Sequence, residues 1–105
     1  LEDEGRIRLP FIPAYATNNM HMFYLVCGSG KERDALLNYL SKHHIKAVFH
    51  YIPLHQSSFF RSQYVGRELI NCNLFSDCLI RLPFFYELKE EEQMQVIEGV
   101  KGFYR

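Results

Sequence analysis

The residues HMFYLVC at positions 21–27, followed directly by GSGKE at 28–32, decide the fold of this chain. The first seven are apolar and rich in strand formers, without a polar face, which is typical of a β-strand that is covered on both sides. Ser29 stands three residues before Glu32, the spacing of a capping box, in which two side chains satisfy free backbone N–H groups of a first helical turn. The segment therefore predicts a buried strand, a tight turn and a capped helix.

The residues that follow complete a β-α-β unit. Leu36, Leu37 and Leu40 recur at helical spacing and predict the buried side of the first helix. From Ile45 to Tyr51, core-type residues alternate with others, as in a second strand. Upstream, residues 1–20 are expected to be a lead-in. Residues 6–9 alternate like a short strand, and Pro10 and Pro13 then bar a regular helix.

The second half of the chain predicts a helix, a strand and a final helix. Asn71 or Asn73 is a candidate cap for a short helix, whose inward residues would be Leu74, Phe75, Cys78 and Leu79. A short strand at 80–82 ends at Pro83. The final helix spans about 89–104, with Met94, Ile97, Val100 and Tyr104 on its buried side. This order predicts the α+β class: an α/β sandwich in which a small, mainly antiparallel sheet carries helices on one face.

Composition limits the classes of function. The 105 residues contain 12 Lys and Arg against 12 Asp and Glu, so the formal net charge is zero. A nucleic-acid-binding protein needs clustered positive charge, so no nucleic-acid partner is expected. No apolar run approaches the ~20 residues of a membrane span, and no membrane association is expected. Cys27, Cys72 and Cys78 form no pair with metal-site spacing, and we interpret them as reduced thiols of a cytoplasmic protein.

The candidate functional residues lie in the run FHYIPLH at 49–55. A strand delivers His50, Tyr51 and His55 to its end and to the following loop, where α/β proteins commonly place ligand-binding groups. Two histidines five residues apart could also be metal ligands, but no third ligand is evident, and no metal site is expected. The alternative is that both imidazoles are buried structural groups with satisfied N–H bonds.

Four motifs, taken in order, resemble one enzyme family. They are GRIRLP at 5–10, HMFY at 21–24, HYIPLH at 50–55, and RLPFFY at 81–86 with Leu88 before the last helix. Together they are similar to the carboxy-terminal small domain of the DegT/DnrJ/EryC1/StrS family. Its members are pyridoxal-phosphate-dependent nucleotide-sugar aminotransferases. The resemblance covers almost the whole chain.

This resemblance implies a function and a domain organisation. Residues 21–105 would be the small domain of a fold-type-I enzyme, preceded by the interdomain segment 1–20, and the chain would be a carboxy-terminal piece without activity alone. The intact enzyme would be a homodimer that transfers an amino group from glutamate to a nucleotide-linked 4-keto-6-deoxy sugar, in surface-polysaccharide or lipopolysaccharide biosynthesis. Pyridoxal phosphate would be bound mainly outside this chain. His50 would point toward the sugar or the edge of the cofactor, and Tyr51 and His55 would line the nucleotide-sugar cleft. No catalytic residue is expected in these 105.

Two other functions stay open at the level of sequence. Some members of the same family are sugar dehydratases, in which histidine replaces the lysine that binds the cofactor. The chain could also be a free-standing binding or dimerisation module that shares the small-domain fold. The length of the natural reading frame upstream of Leu1 would separate the module from both enzymes.

Overall fold

Strand β2, Tyr24–Cys27, lies at the centre of the molecule, in a computed structural model that describes residues 1–105. It pairs with β1 (Ile7–Arg8) on one side and with β4 (Leu79–Arg81) on the other, and β4 also pairs with β3 (Val48–Phe49). The sheet order is β1-β2-β4-β3, and every pairing is antiparallel. The helices are α1 (Gly30–Lys42), α2 (Ile70–Cys78) and α3 (Glu90–Tyr104), with a short 3-10 turn at Leu54–Gln56.

Helix α1 begins where the capping residues predict. The backbone N–H of Glu32 donates to Oγ of Ser29 at 3.2 Å. The Glu32 carboxylate in turn accepts from the backbone N–H of Gly28 at 2.9 Å, one residue before the cap. Both bonds satisfy polar backbone groups at the turn, so the end of β2 and the start of α1 are fixed together.

The core lies between one face of the sheet and helices α1 and α3. Leu25 and Ile80 are cross-strand partners and therefore share a face. They pack with Leu36 and Leu40 of α1 and with residues of α3. The full buried cluster is Ile7, Leu25, Cys27, Leu36, Leu40, Ile45, Ile80, Val96 and Val100. The predicted α+β class with an antiparallel sheet is confirmed, and helices α1 and α3 lie together on one face of the sheet as predicted.

The opposite face of the sheet carries a smaller buried cluster. Val26 and Leu79 are cross-strand partners there, and they pack with Cys78, the last residue of α2. All three are buried. Strand β2 is therefore covered on both sides along Leu25–Cys27, as predicted. It begins at Tyr24, however, so residues 21–23 of the predicted strand lie before it.

The second predicted strand and the short helix also differ in detail from their predictions. The second strand pairs at Val48–Phe49 alone, because the backbone N–H of Ile45 still donates to Leu40 at the end of α1. Helix α2 begins at Ile70 after Leu69, which provides no side-chain cap, so neither Asn71 nor Asn73 is the cap. Such a short helix is held by its tertiary contacts rather than by its ends.

The predicted buried sides of α2 and α3 also need correction. Leu74 and Phe75 are exposed, whereas Cys78 and Leu79 are buried as predicted. In α3, Met94 is 48% exposed, and Val96, which the predicted stripe omitted, is 9% exposed. The buried stripe of α3 thus starts two residues later than predicted.

Candidate functional site

The run at 49–55 leaves the sheet at its edge. Phe49 is the last residue of β3, an edge strand, and His50 is the first residue beyond it. Pro53 is buried, and the 3-10 turn Leu54–Gln56 follows it directly. Edge strands present unpaired backbone, and here the chain turns away from the edge, so the candidate side chains lie on a short loop anchored by Pro53.

His50 is half-buried, with one ring nitrogen enclosed. Its Nδ1 is inaccessible to solvent and has no hydrogen-bond partner within the chain. The ring contacts Tyr51 edge-on, with 5.1 Å between centroids. Buried polar atoms are almost always hydrogen-bonded in complete structures, so this nitrogen is an exception that the 105 residues leave unsatisfied.

Tyr51 connects His50 to strand β4. Its side chain is 73% exposed. The guanidinium carbon of Arg81 lies 5.4 Å from the centre of the Tyr51 ring, a cation–π contact. The hydroxyl of Ser76 in α2 donates to the backbone carbonyl of Tyr51 at 3.3 Å. The backbone of Tyr51 is therefore fixed to α2, while its side chain stays largely exposed.

His55 is held by contacts of a different kind. Its Nε2 lies 2.8 Å from Oδ1 of Asn73 in α2, and Nε2 of Gln56 donates to the same oxygen at 2.7 Å. Its ring also lies 5.3 Å from the ring of Tyr64, centre to centre. An amide oxygen accepts only, so the neutral His55 ring carries its proton on Nε2 and leaves Nδ1 as an acceptor. The loop brings His50 against Tyr51, whereas it places His55 against α2 and Tyr64.

Sequence reasoning missed three residues of this region: Asn73, Tyr64 and Arg81. Asn73 was expected at the start of a helix, and instead its side chain binds His55. Arg81 lies beside the loop because it pairs with Val48 across β3 and β4. That register brings together residues more than thirty positions apart, and periodicity within one segment carries no signal for it.

The resolved pKa shifts lie outside the loop at 49–55. Burial raises the pKa of Cys27 to about 11, against the hydrogen bond from Tyr104, which lowers it. Burial also raises the pKa of Tyr104 and that of Cys78. The hydrogen bond from Lys101 lowers the pKa of the exposed Glu98. These shifts describe the core and one surface ion pair rather than an acid–base site.

Neither a metal site nor an enclosed ligand pocket coincides with the loop. No group of three His, Cys, Asp or Glu residues has the geometry to hold a metal ion. An apolar cavity of about 250 Å³ lies between α3 and the connection that precedes it, and its lining includes none of His50, Tyr51 and His55. The candidate site is therefore an open surface, with Ile52 and Leu54 also exposed beside it.

The chain matches the model of the DegT/DnrJ/EryC1/StrS aminotransferase family over residues 1–101. It is a member of that family. A curated relative, the "Pleiotropic regulatory protein" of Geobacillus stearothermophilus, is 32% identical over 95 residues, which is 89% of this chain and 26% of the relative.

No helix of the chain has the length and apolar character required to cross a membrane.

Solved structures share the fold of this chain. S. venezuelae DesV, in complex with a ketimine intermediate, superposes with a TM-score of 0.84 at 22% identity, over 94% of this chain and 27% of that one. The putative sugar aminotransferase Spr1654 of Streptococcus pneumoniae, in its PMP form, superposes with a TM-score of 0.74 at 25% identity. The match covers 93% of this chain and 26% of that one. The chain thus spans about a quarter of the length of the proteins that it matches.

Proposed function

We propose that this chain is the carboxy-terminal small domain of a pyridoxal-phosphate-dependent nucleotide-sugar aminotransferase. The observation that carries the proposal is the family match over residues 1–101, combined with a span of 26% of the curated relative. We infer that residues 21–105 form the domain and that 1–20 connect it to the remainder. Because β1 lies within 1–20 and pairs with β2, that connection is anchored in the sheet.

The candidate site would form one wall of a ligand pocket. His50 has an enclosed nitrogen without a partner, and the neighbouring Tyr51 is largely exposed. Small-molecule sites normally enclose most of their ligand, and this surface cannot enclose one alone. The other wall would come from the remaining three quarters of the enzyme and from a second subunit of a homodimer.

The lysines of this chain do not fit the cofactor anchor. All five of them, Lys31, Lys42, Lys46, Lys89 and Lys101, are exposed. A Schiff-base lysine needs a pocket that lowers its pKa and excludes water. We infer that this lysine and the groups that bind the cofactor phosphate lie outside the chain. When bound there, pyridoxal phosphate would supply the electron sink for amino-group transfer.

The role of this domain would be to bind and orient the sugar nucleotide. An imidazole and a phenol can donate hydrogen bonds to sugar hydroxyls or to diphosphate oxygens without a permanent buried charge. His50 would reach the sugar or the edge of the cofactor, while Tyr51 and His55 would line the nucleotide-sugar cleft. His21–Tyr24 and Ala47–His55 resemble dTDP-4-amino-4,6-dideoxygalactose transaminase, so dTDP-4-keto-6-deoxyglucose is the proposed acceptor and glutamate the donor. The enzyme would act in the cytoplasm, in the synthesis of a surface polysaccharide or lipopolysaccharide.

An assay of the full polypeptide that contains this chain tests the proposal. Incubation with dTDP-4-keto-6-deoxyglucose, glutamate and pyridoxal phosphate should yield 2-oxoglutarate and an aminated sugar nucleotide in equal amounts, measured by mass spectrometry. Loss of water from the sugar without consumption of glutamate would indicate a dehydratase instead. A polypeptide that neither binds pyridoxal phosphate nor converts the sugar would indicate a binding module.

The 105 residues alone provide a second test. Because every lysine is exposed, mixing the chain with pyridoxal phosphate should give no stoichiometric internal aldimine. Visible spectra before and after borohydride reduction, with peptide mapping of the labelled lysine, measure this. One stable and fully labelled lysine would contradict the proposal that the anchor lies elsewhere.

A further inference from the structure

Two arginines lie on the sheet face opposite α1 and α3. Arg8 pairs with Val26 across β1 and β2, and Arg81 pairs with Tyr24 across β2 and β4. Since alternate residues of a strand share a face, both arginines project from the face that carries Val26. The guanidinium of Arg8 lies 5.9 Å from the centre of the Phe75 ring, and that of Arg81 lies 5.4 Å from the Tyr51 ring.

Arg81 has an enclosed nitrogen without a hydrogen bond, whereas Arg8 is exposed to solvent. Three buried side-chain nitrogens in the chain lack a hydrogen bond: Nε of Arg33, Nδ1 of His50 and Nε of Arg81. Nε of Arg33 nevertheless has a charge partner, because Oδ1 of Asp34 lies 2.8 Å away. The remaining two nitrogens belong to the two side chains that contact the ring of Tyr51.

The charge of Arg81 is also unbalanced. The four ion pairs of the chain involve other cations, namely Arg6, Arg33, Lys101 and Arg105. The four strands contain no Asp or Glu. A guanidinium stays protonated in proteins and can only donate. A half-buried guanidinium without a carboxylate is costly unless an acceptor comes from outside the chain.

We propose that Arg81 is an oxyanion-binding residue of the substrate site, and that it receives a carboxylate or phosphate group of a substrate. The planar fork of a guanidinium fits both groups with two parallel hydrogen bonds. The Tyr51 ring keeps the fork in place and connects it to His50. The inference rests on the proposed function for the nature of its ligand: the carboxylate of the amino donor or the diphosphate of the nucleotide sugar.

Binding to the full polypeptide tests this proposal without requiring turnover. Isothermal titration with glutamate and, separately, with thymidine diphosphate would be performed on the wild type, Arg81→Gln and Arg81→Lys. Arg81→Gln removes a charge-assisted pair of hydrogen bonds, so it should weaken the affinity for one of the two ligands by about ten- to a hundredfold. Arg81→Lys keeps the positive charge but lacks the planar fork, so its affinity for that ligand should lie between those of the wild type and Arg81→Gln. A weaker affinity for glutamate would identify the carboxylate as the group that Arg81 binds. A weaker affinity for thymidine diphosphate would identify the phosphate.

Arg8→Gln is the matched control, because Arg8 shares the sheet face and an aromatic contact. It should change either affinity by less than about twofold. The proposal is overturned if Arg81→Gln binds both ligands as the wild type does, if the wild type binds neither, or if both affinities fall with the melting temperature in both Arg81 variants. A protein that loses affinity on Arg81→Gln but never transaminates would reject the proposed function and retain the anion site.

Discussion

Oδ1 of Asn73 lies 2.8 Å from Nε2 of His55, and it also accepts from Nε2 of Gln56 at 2.7 Å. One amide oxygen on helix α2 therefore fixes two consecutive side chains of the loop that follows β3. The same contact selects the tautomer of neutral His55 with its proton on Nε2. Asn73 is accordingly a positioning residue for His55, rather than the helix cap that its residue type predicted.

Asn73→Leu should loosen this loop. Two hydrogen bonds to partly exposed groups are lost, each worth about 1 kcal/mol, so the free energy of unfolding should fall by about 1–2 kcal/mol. The ¹⁵N chemical shifts of the His55 ring should change from those of a single tautomer to those of a mixture. Chemical denaturation and NMR measure the two effects.

Asn71→Leu is the control for this change. Asn71 lies on the same helix, is exposed, and makes no side-chain hydrogen bond among those of the chain. It should alter neither the stability nor the His55 tautomer. If Asn71→Leu destabilises the chain as much as Asn73→Leu does, the cap predicted from sequence regains support and the positioning role of Asn73 is wrong.

The difference between what the sequence predicted and what it missed follows the range of the interactions. Ser29 and Glu32 act within one turn, so their spacing alone located the start of α1. The proximity of His55 to Asn73 spans eighteen residues and depends on how α2 docks beside the loop. Arg81 lies beside the loop because the register of β3 and β4 pairs it with Val48. Local patterns predict local bonds, whereas these neighbours require the tertiary fold.

Val96→Ala and Met94→Ala test the corrected register of α3. Val96 is 9% exposed in the core, whereas Met94 is 48% exposed. Removing two buried methyl groups should lower the free energy of unfolding by about 2 kcal/mol. Met94→Ala, although it removes more atoms, should cost less than about 0.5 kcal/mol in the 105-residue chain. Urea denaturation of both variants measures this, and the reverse order would restore the stripe predicted from sequence.

Alkaline pH should destabilise the chain partly through Cys27. Its pKa rises from the ordinary value of 9.0 to about 11 in the folded state, chiefly because the thiol is buried. Between these values the unfolded chain loses the proton while the folded chain keeps it, so the free energy of unfolding falls as pH rises. Below about pH 9 both states are protonated and this contribution is fully present.

Cys27→Ala should therefore have a shallower loss of stability between pH 9 and 11 than the wild type. Tyr104, whose pKa burial also raises, contributes to the slope in both proteins. Denaturation at half-unit pH intervals gives the two slopes, and equal slopes would contradict the prediction. At pH 8, with a pKa of about 11, roughly one Cys27 in a thousand is a thiolate, so alkylation should be slow there.

The exposed apolar surface should make the isolated chain associate. Phe11, Tyr15, Phe59 and Tyr86 are each more than three-quarters exposed. Large exposed apolar patches normally mark a surface that is covered in the complete protein. We expect binding of a hydrophobic dye and concentration-dependent association in sedimentation. In the full polypeptide we expect no dye binding and no association beyond the proposed homodimer. A chain that stays monomeric at high concentration without binding dye would show that this surface needs no cover.

His50→Ala in the full polypeptide should impair turnover while leaving the fold intact. Nδ1 of His50 is enclosed without a partner, so its removal breaks no hydrogen bond within this chain. The ring lies one residue beyond β3 and contacts the mainly exposed Tyr51, which places it beside open surface rather than in the core. If it binds the sugar more strongly in the transition state than in the ground state, kcat should fall by roughly ten- to a hundredfold, equivalent to about 1–3 kcal/mol.

His43→Ala is the matched control for this last prediction. His43 follows α1, and its Nδ1 lies 2.8 Å from the carbonyl oxygen of Tyr39, a local contact of the helix end. Its removal should leave kcat unchanged and lower the melting temperature slightly, because a helix end loses a bond. Kinetics, cofactor absorbance and thermal unfolding on the same preparations separate the two roles. Unchanged kinetics with a large loss of stability in His50→Ala would make His50 a structural residue and remove it from the proposed site.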